Sequence, residues 1–183
     1  MEVRDAMVKW IGRALAAAAV LLVVDAARSA APPALDPKAL AGVYKRQFEN
    51  GDVSGRKYAS EDILEIVPTG PDAAYFREHL EFFNGHICAI NGIAHRAGDE
   101  LIYRSREPPP AYAGAPACVM HIRREGQTVF AGDMDGGCAA YCGARGSLKN
   151  SAFPLKARRP IRYAARLRAS RQFRAALAED AGS

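Results

Sequence analysis

The chain lacks the short patterns that most often announce an enzyme. Its 183 residues contain no Gly-Xaa-Ser-Xaa-Gly elbow, no phosphate-binding loop and no dinucleotide glycine pattern, which sets aside the usual signatures of serine hydrolases, nucleotidases and dinucleotide oxidoreductases. The four histidines, His79, His86, His95 and His121, are scattered, and no Cys-Xaa-Xaa-Cys pair occurs. No metal site, redox pair or cofactor is therefore expected, and no catalytic residue stands out. Long apolar runs are missing too: the run from Ala14 to Val24 stops at Asp25, well short of the roughly 20 residues a membrane span needs. Internal repeats are absent. So is acid from one long stretch, because residues 145 to 174 hold ten Lys or Arg and no Asp or Glu.

What is present begins with a leader. Lys9 and Arg13 precede the apolar run, and the small residues Ala26, Ala27, Ser29 and Ala30 follow it, the order of a secretory signal peptide. Residues 1–29 are read as that signal, with a cut before Ala30 and no lipobox cysteine to anchor the new end. No transmembrane segment remains after such a cut, and the product is expected in the periplasm or secreted. The proline-rich residues 30–38 read as a linker.

Export changes the meaning of the cysteines. Cys88, Cys118, Cys138 and Cys142 all follow the leader, and an even number in an oxidising compartment predicts two disulfides. The phrase Gly136-Gly-Cys-Ala-Ala-Tyr-Cys-Gly-Ala-Arg-Gly-Ser147 is accordingly read as a staple.

Residues 39–150 alternate in short β-type segments. Leu40–Phe48, Asp62–Val67, Ala74–Phe83, His86–His95, Glu100–Arg104, Ala117–Arg124 and Thr128–Met134 are separated by turn signals, Asn84-Gly85 the strongest of them. The segment Ala74–Phe83 also fits helical spacing, and the hairpin signal behind it decides for strand. The fold expected is mainly β, an antiparallel meander or small lipocalin-like barrel, with a C-terminal α-helix. Tyr44, Leu64, Ile66, Phe76, Leu80, Phe82, Ile90, Leu101, Tyr103, Met120, Ile122 and Val129 form the inward set. Glu78 falls inward between Phe76 and Leu80; an inward acid in a pocket is one reading, and a register error or a satisfied ion pair is the expected explanation. Residues 151–183 read as one basic, amphipathic helix over 161–178 packed on the barrel.

Strand order constrains the disulfides. Cys88 and Cys118 open strands two places apart, about 9.6 Å at sheet spacing, beyond the roughly 7 Å between Cα atoms that a disulfide tolerates. Cys118 should meet Cys138 or Cys142, and of these two arrangements Cys118 with Cys138 and Cys88 with Cys142 is preferred.

Three arginines are candidates for anion binding: Arg145, between the flanking glycines of the cysteine phrase, and Arg162 and Arg166 in the tail. The run Asp133-Met-Asp-Gly136 opens like a calcium loop, but Ala144 stands where the closing acid belongs, so a hairpin end with solvated carboxylates is expected instead. Nucleic acid is not an expected partner, since aromatics for stacking are few.

The strand Leu40-Ala-Gly-Val-Tyr44, the phrase Leu80-Glu-Phe-Phe-Asn-Gly-His86 and Cys138-Ala-Ala-Tyr-Cys-Gly-Ala-Arg-Gly146 together resemble a group of exported, largely uncharacterised proteobacterial proteins. In some relatives a similar region adjoins a lysozyme-inhibitor-like module of the LprI type, which this chain does not carry. The resemblance implies an exported, disulfide-stapled domain and a binding role. The function expected is a small binding or inhibitor-like module of the cell envelope, its partner an envelope protein or an anionic lipid or glycan. An inhibitor of basic lysozyme would need an acidic surface, for which Glu78, Glu81, Asp99 and Glu100 are the candidates. Two alternatives stand beside it: a structural envelope protein contacting anionic lipid or glycan through its arginine-rich helix, and an envelope hydrolase, which would need a cleft with a perturbed acid or histidine.

Overall fold

A computed structural model describes residues 34–106, 114 and 116–182. The signal reading of residues 1–29 and the first part of the linker lie outside the described residues. The eight strands are β1 (Gly42–Gly51), β2 (Lys57–Pro68), β3 (Ala73–Glu81), β4 (Ile87–Ala97), β5 (Glu100–Arg104), β6 (Val119–Glu125), β7 (Thr128–Gly132) and β8 (Ser151–Pro154). They form one antiparallel sheet in chain order, a meander that curls into a nearly closed barrel.

Alternation explains the interior. Every member of the inward set is buried in one core except Phe82, which packs against its edge. Tyr103 meets Phe76 edge-on at 5.3 Å between ring centroids. One interior row runs through Tyr44, Leu64, Glu78 and Ile90, which face one another across β1 to β4. A carboxyl thus stands in a row of otherwise apolar or aromatic side chains.

Helices cover one apolar patch of the outer face. Val67, Tyr75 and Ile93, neighbours on β2, β3 and β4, pack with Leu167, Phe173 and Ala176 from α2 (Ala164–Arg168) and α3 (Arg171–Ala181). Beneath the same cover, fully buried Glu65 is held between Arg77 and the Tyr163 hydroxyl.

The two disulfides join Cys88 to Cys142 and Cys118 to Cys138. A short 3₁₀ segment, Gly137–Tyr141, carries Cys138 into place. The chain then crosses the first bond so closely that a Cβ on Gly146 would lie 2.6 Å from Cys88 Sγ. The cysteine phrase is a staple, and this glycine is the gap that lets its loop pass.

Several boundaries differ from expectation. β8 lies in the segment assigned wholly to the tail. Four residues that end in proline are too few to show a period, yet Phe153 pairs with Val129 and fills the core. The expected single helix over 161–178 is two, because Ser170 turns extended and its hydroxyl caps α3 by accepting from Phe173 N. The break re-phases the buried face, so Leu177 is exposed while Ala176 is buried. The linker 30–38 ends early: Leu35 packs against the core, and Asp36 caps α1 (Pro37–Leu40). Asp133 is buried rather than solvated, its carboxylate accepting from the backbone N–H of Asp135, Gly136 and Cys138.

Among the described residues no helix is long and apolar enough to cross a membrane.

Candidate functional site

The barrel closes at one end only. Just past β8, Val43 and Arg159 exchange two backbone hydrogen bonds of 2.9 Å. Elsewhere β1 and β8 are not ladder neighbours, and a cleft of about 480 Å³ opens between them, lined by Arg46, Phe48, Asp62, Leu80, Glu81, Phe82, Phe83, Ser147, Asn150 and Ser151. That volume lies within the roughly 300–1,000 Å³ typical of small-molecule sites.

Inward alternation places the polar floor. Arg46 and Asp62 face each other across β1 and β2, and the guanidinium gives Asp62 Oδ2 bonds of 2.5 Å from Nη2 and 3.1 Å from Nε. Asp62 is buried, Arg46 half exposed. The other carboxylate oxygen of Asp62 accepts from Glu81 N at 2.9 Å, tying the pair to the end of β3.

Behind Ser151, on the core side, lies Glu78. It is fully buried, and its Oε1 meets Ser151 Oγ, which also lies 3.0 Å from Ala131 O. The second oxygen, Oε2, has no hydrogen-bond partner among the described residues. Burial drives the carboxyl up to about 8, the Ser151 hydroxyl opposing and Asp62 adding to the rise. At neutral pH the group is therefore mostly a neutral acid. In that form it can donate to Ser151 Oγ while Ser151 donates to the Ala131 carbonyl, which only accepts. Neither a register error nor an ion pair accounts for Glu78: the nearest arginine along the interior, Arg46, is engaged by Asp62.

The rim is aromatic. Phe48, Phe82 and Phe83 border the polar floor, and Phe83 is 44% exposed. Inward aromatic, polar and apolar groups thus meet at one opening.

The three anion-binding candidates do not meet there. Arg145 is exposed on the cysteine loop, Arg162 is exposed ahead of α2, and Arg166 lies over the Tyr163 ring at 5.5 Å. None lines the cleft. The four acids considered for an inhibitory surface are also separated. Glu78 is interior, Glu81 sits opposite the start of β4, and Asp99 and Glu100 lie beyond its far end, roughly 30 Å away at strand rise. His79, His95 and His121 are on the outer face, beside Glu81, Asp180 and Glu100. No cluster of metal-ligating side chains occurs among the described residues.

Sequence reasoning missed Asp62, Asn150 and Ser151. Asp62 was legible, since it shares the inward parity of Leu64 and Ile66 in its own segment, but it stood at the segment's first residue and its partner Arg46 was not singled out. Ser151 carried no signal, since its strand is only four residues long. No family model, curated protein or solved structure matches the chain.

Proposed function

We propose that this protein is an exported binding module of the cell envelope, periplasmic or secreted, that takes a small amphipathic molecule in the cleft where β1 and β8 part. The observation that carries the reading is the opening itself: a barrel zipped at one end and parted at the other, with a polar floor sunk in an apolar core. The Arg46–Asp62 pair neutralises its own charge, and Glu78 is held as an acid. The floor thus selects hydrogen-bonding capacity rather than net charge, and an amide or hydroxyl head group matches it. Phe48, Leu80, Phe82 and Phe83 supply the surface for an apolar body.

The hydrolase alternative has one observation in its favour, a perturbed acid beside a cleft. Glu78, however, does not line that cleft and meets its wall through Ser151. Binding accounts for the geometry without requiring Glu78 to touch the ligand. The acidic surface an inhibitor would need is broken up, which favours a small ligand over a basic enzyme as partner.

Titration of the purified, oxidised protein with a medium-chain primary amide, followed by calorimetry, tests the reading. Saturable binding that Phe48→Asp abolishes is expected, with the matching fatty acid and alkylamine binding more weakly. Absence of binding by all three, or binding indifferent to Phe48→Asp, would remove the cleft as the site.

A further inference from the structure

The closed end of the barrel carries a second concavity of opposite character. Lys38, Arg124, Lys156 and Arg158 surround about 580 Å³, and no carboxylate is among the lining residues. The four come from three distant stretches: the α1 turn, the end of β6, and the segment after β8. None makes an ion pair among the described residues. Neighbouring acids are engaged otherwise, since Asp36 caps α1 and Glu125 pairs with Arg123.

The guanidinium groups are placed rather than loose. Arg158 Nη1 donates to Ala39 O at 2.7 Å, and Arg124 Nε donates to Gly126 O at 2.8 Å, each with further N–H groups left over. Room for Arg158 is made by Gly42. Its φ of 151° suits glycine, and a Cβ there would lie 2.7 Å from Arg158 Cγ. Arg158 and Arg124 also act on the Tyr44 hydroxyl at the inner end of this site, opposing the rise that burial imposes on it. Four like charges gathered round one hollow repel one another, and an anion seated among them would relieve that repulsion.

We propose that this basic cup binds a phosphorylated group, specifically one bearing two neighbouring phosphoryl charges, such as a diphosphate. Arginine forks match phosphate oxygens two at a time, and lysines add point charge. The cup lies at the opposite end of the barrel from the ligand cleft and does not depend on it. It is also separate from the arginines of α2 and α3. The phosphoryl group could be free or carried on a lipid, and the chemistry recognised is the same.

Pyrophosphate is the probe for the free form, and phosphatidylcholine vesicles with and without diacylglycerol diphosphate are the probe for the lipid-borne form. Binding in at least one arm is expected, weakened at least about tenfold between 50 and 500 mM NaCl. Lys156→Glu with Arg124→Glu should lower the affinity by at least about tenfold, whereas Arg171→Glu with Arg174→Glu, on α3, should leave it unchanged. Circular dichroism confirms that both variants fold, and Lys38→Glu, on a surface turn, provides an independent reversal. The proposal is overturned by no binding in either arm, by loss of binding on reversal of α3 rather than of the cup, or by citrate binding as tightly as pyrophosphate.

Discussion

Glu78 and Ser151 meet inside the barrel although 73 residues separate them in the chain. One belongs to the third strand, the other to the short eighth strand that nearly completes the circle. Their contact is where a carboxyl in the core touches the wall of the cleft, so protonation of Glu78 is coupled both to stability and to the lining of the site.

The pH dependence follows from that burial. The carboxyl of Glu78 stands at about 8, above its ordinary value of 4.5, so between these two values the native state keeps a proton that the unfolded chain has released. Stability from this group is complete below about pH 4.5 and declines as pH rises towards 8, by a few kcal/mol in all. Glu78→Gln keeps a donor and an acceptor but does not titrate. Urea melts at pH 5 and pH 8.5 should show the variant close to wild type at the lower pH and more stable, by about 4 kcal/mol, at the higher. A parallel loss in both proteins would show that Glu78 is not the group responsible.

Arg46 and Asp62 should respond unequally to truncation. The guanidinium is half exposed, so Arg46→Ala is expected to cost about 1 kcal/mol after screening. Asp62→Ala also strips the acceptor from Glu81 N and should cost about 2 kcal/mol or more. The double variant should lose less than the sum of the two, and strict additivity in denaturant melts would argue that the pair is not coupled.

Much of this was readable before any coordinates. The period of two in Tyr44, Arg46 and Phe48, and again in Phe76, Glu78 and Leu80, marked the interior face, and it placed Glu78 there. Turn residues spaced the strands, and strand order excluded a Cys88–Cys118 bond. What stayed hidden depended on contacts between distant segments. Ser151 reaches Glu78 only because β8 pairs with β7, and nothing local in Ser151–Pro154 announces a strand. The basic cup is assembled from residues 38, 124, 156 and 158, whereas charge counting along the chain pointed to the arginines of the tail. The break at Ser170 was hidden for a different reason. Serine is tolerated in a helix, and only its extended backbone makes it a cap.

The two disulfides should differ in weight. Cys88–Cys142 closes a separation of 54 residues and Cys118–Cys138 one of 20. Loop-closure entropy then assigns about 4 and about 3 kcal/mol respectively. Paired alanine variants, Cys88→Ala with Cys142→Ala and Cys118→Ala with Cys138→Ala, measured by urea unfolding, should follow that order. A larger loss from the shorter loop would mean that local packing around Cys138, whose N–H bonds Asp133, outweighs the chain entropy.

Under the C-terminal helices, Tyr75 offers a gain rather than a loss. Its ring packs against Phe173 at 4.7 Å between centroids, and its buried hydroxyl has no hydrogen-bond partner among the described residues. Burial also pushes that hydroxyl up to about 12. An unpartnered polar group in an apolar contact is unfavourable by about 1–3 kcal/mol. Tyr75→Phe removes the oxygen and keeps the ring, so it should stabilise the protein by about 1 kcal/mol. Phe173→Ala, by contrast, empties the other side of the contact and should cost about 3 kcal/mol. Hydrogen exchange separates two ways this second loss can arise: faster exchange confined to α2 and α3 means that the helices undock from an intact barrel, and a uniform rise means that cover and barrel unfold together. Equal destabilisation by the two variants would show that the Tyr75 hydroxyl does have a partner in solution, such as a bound water.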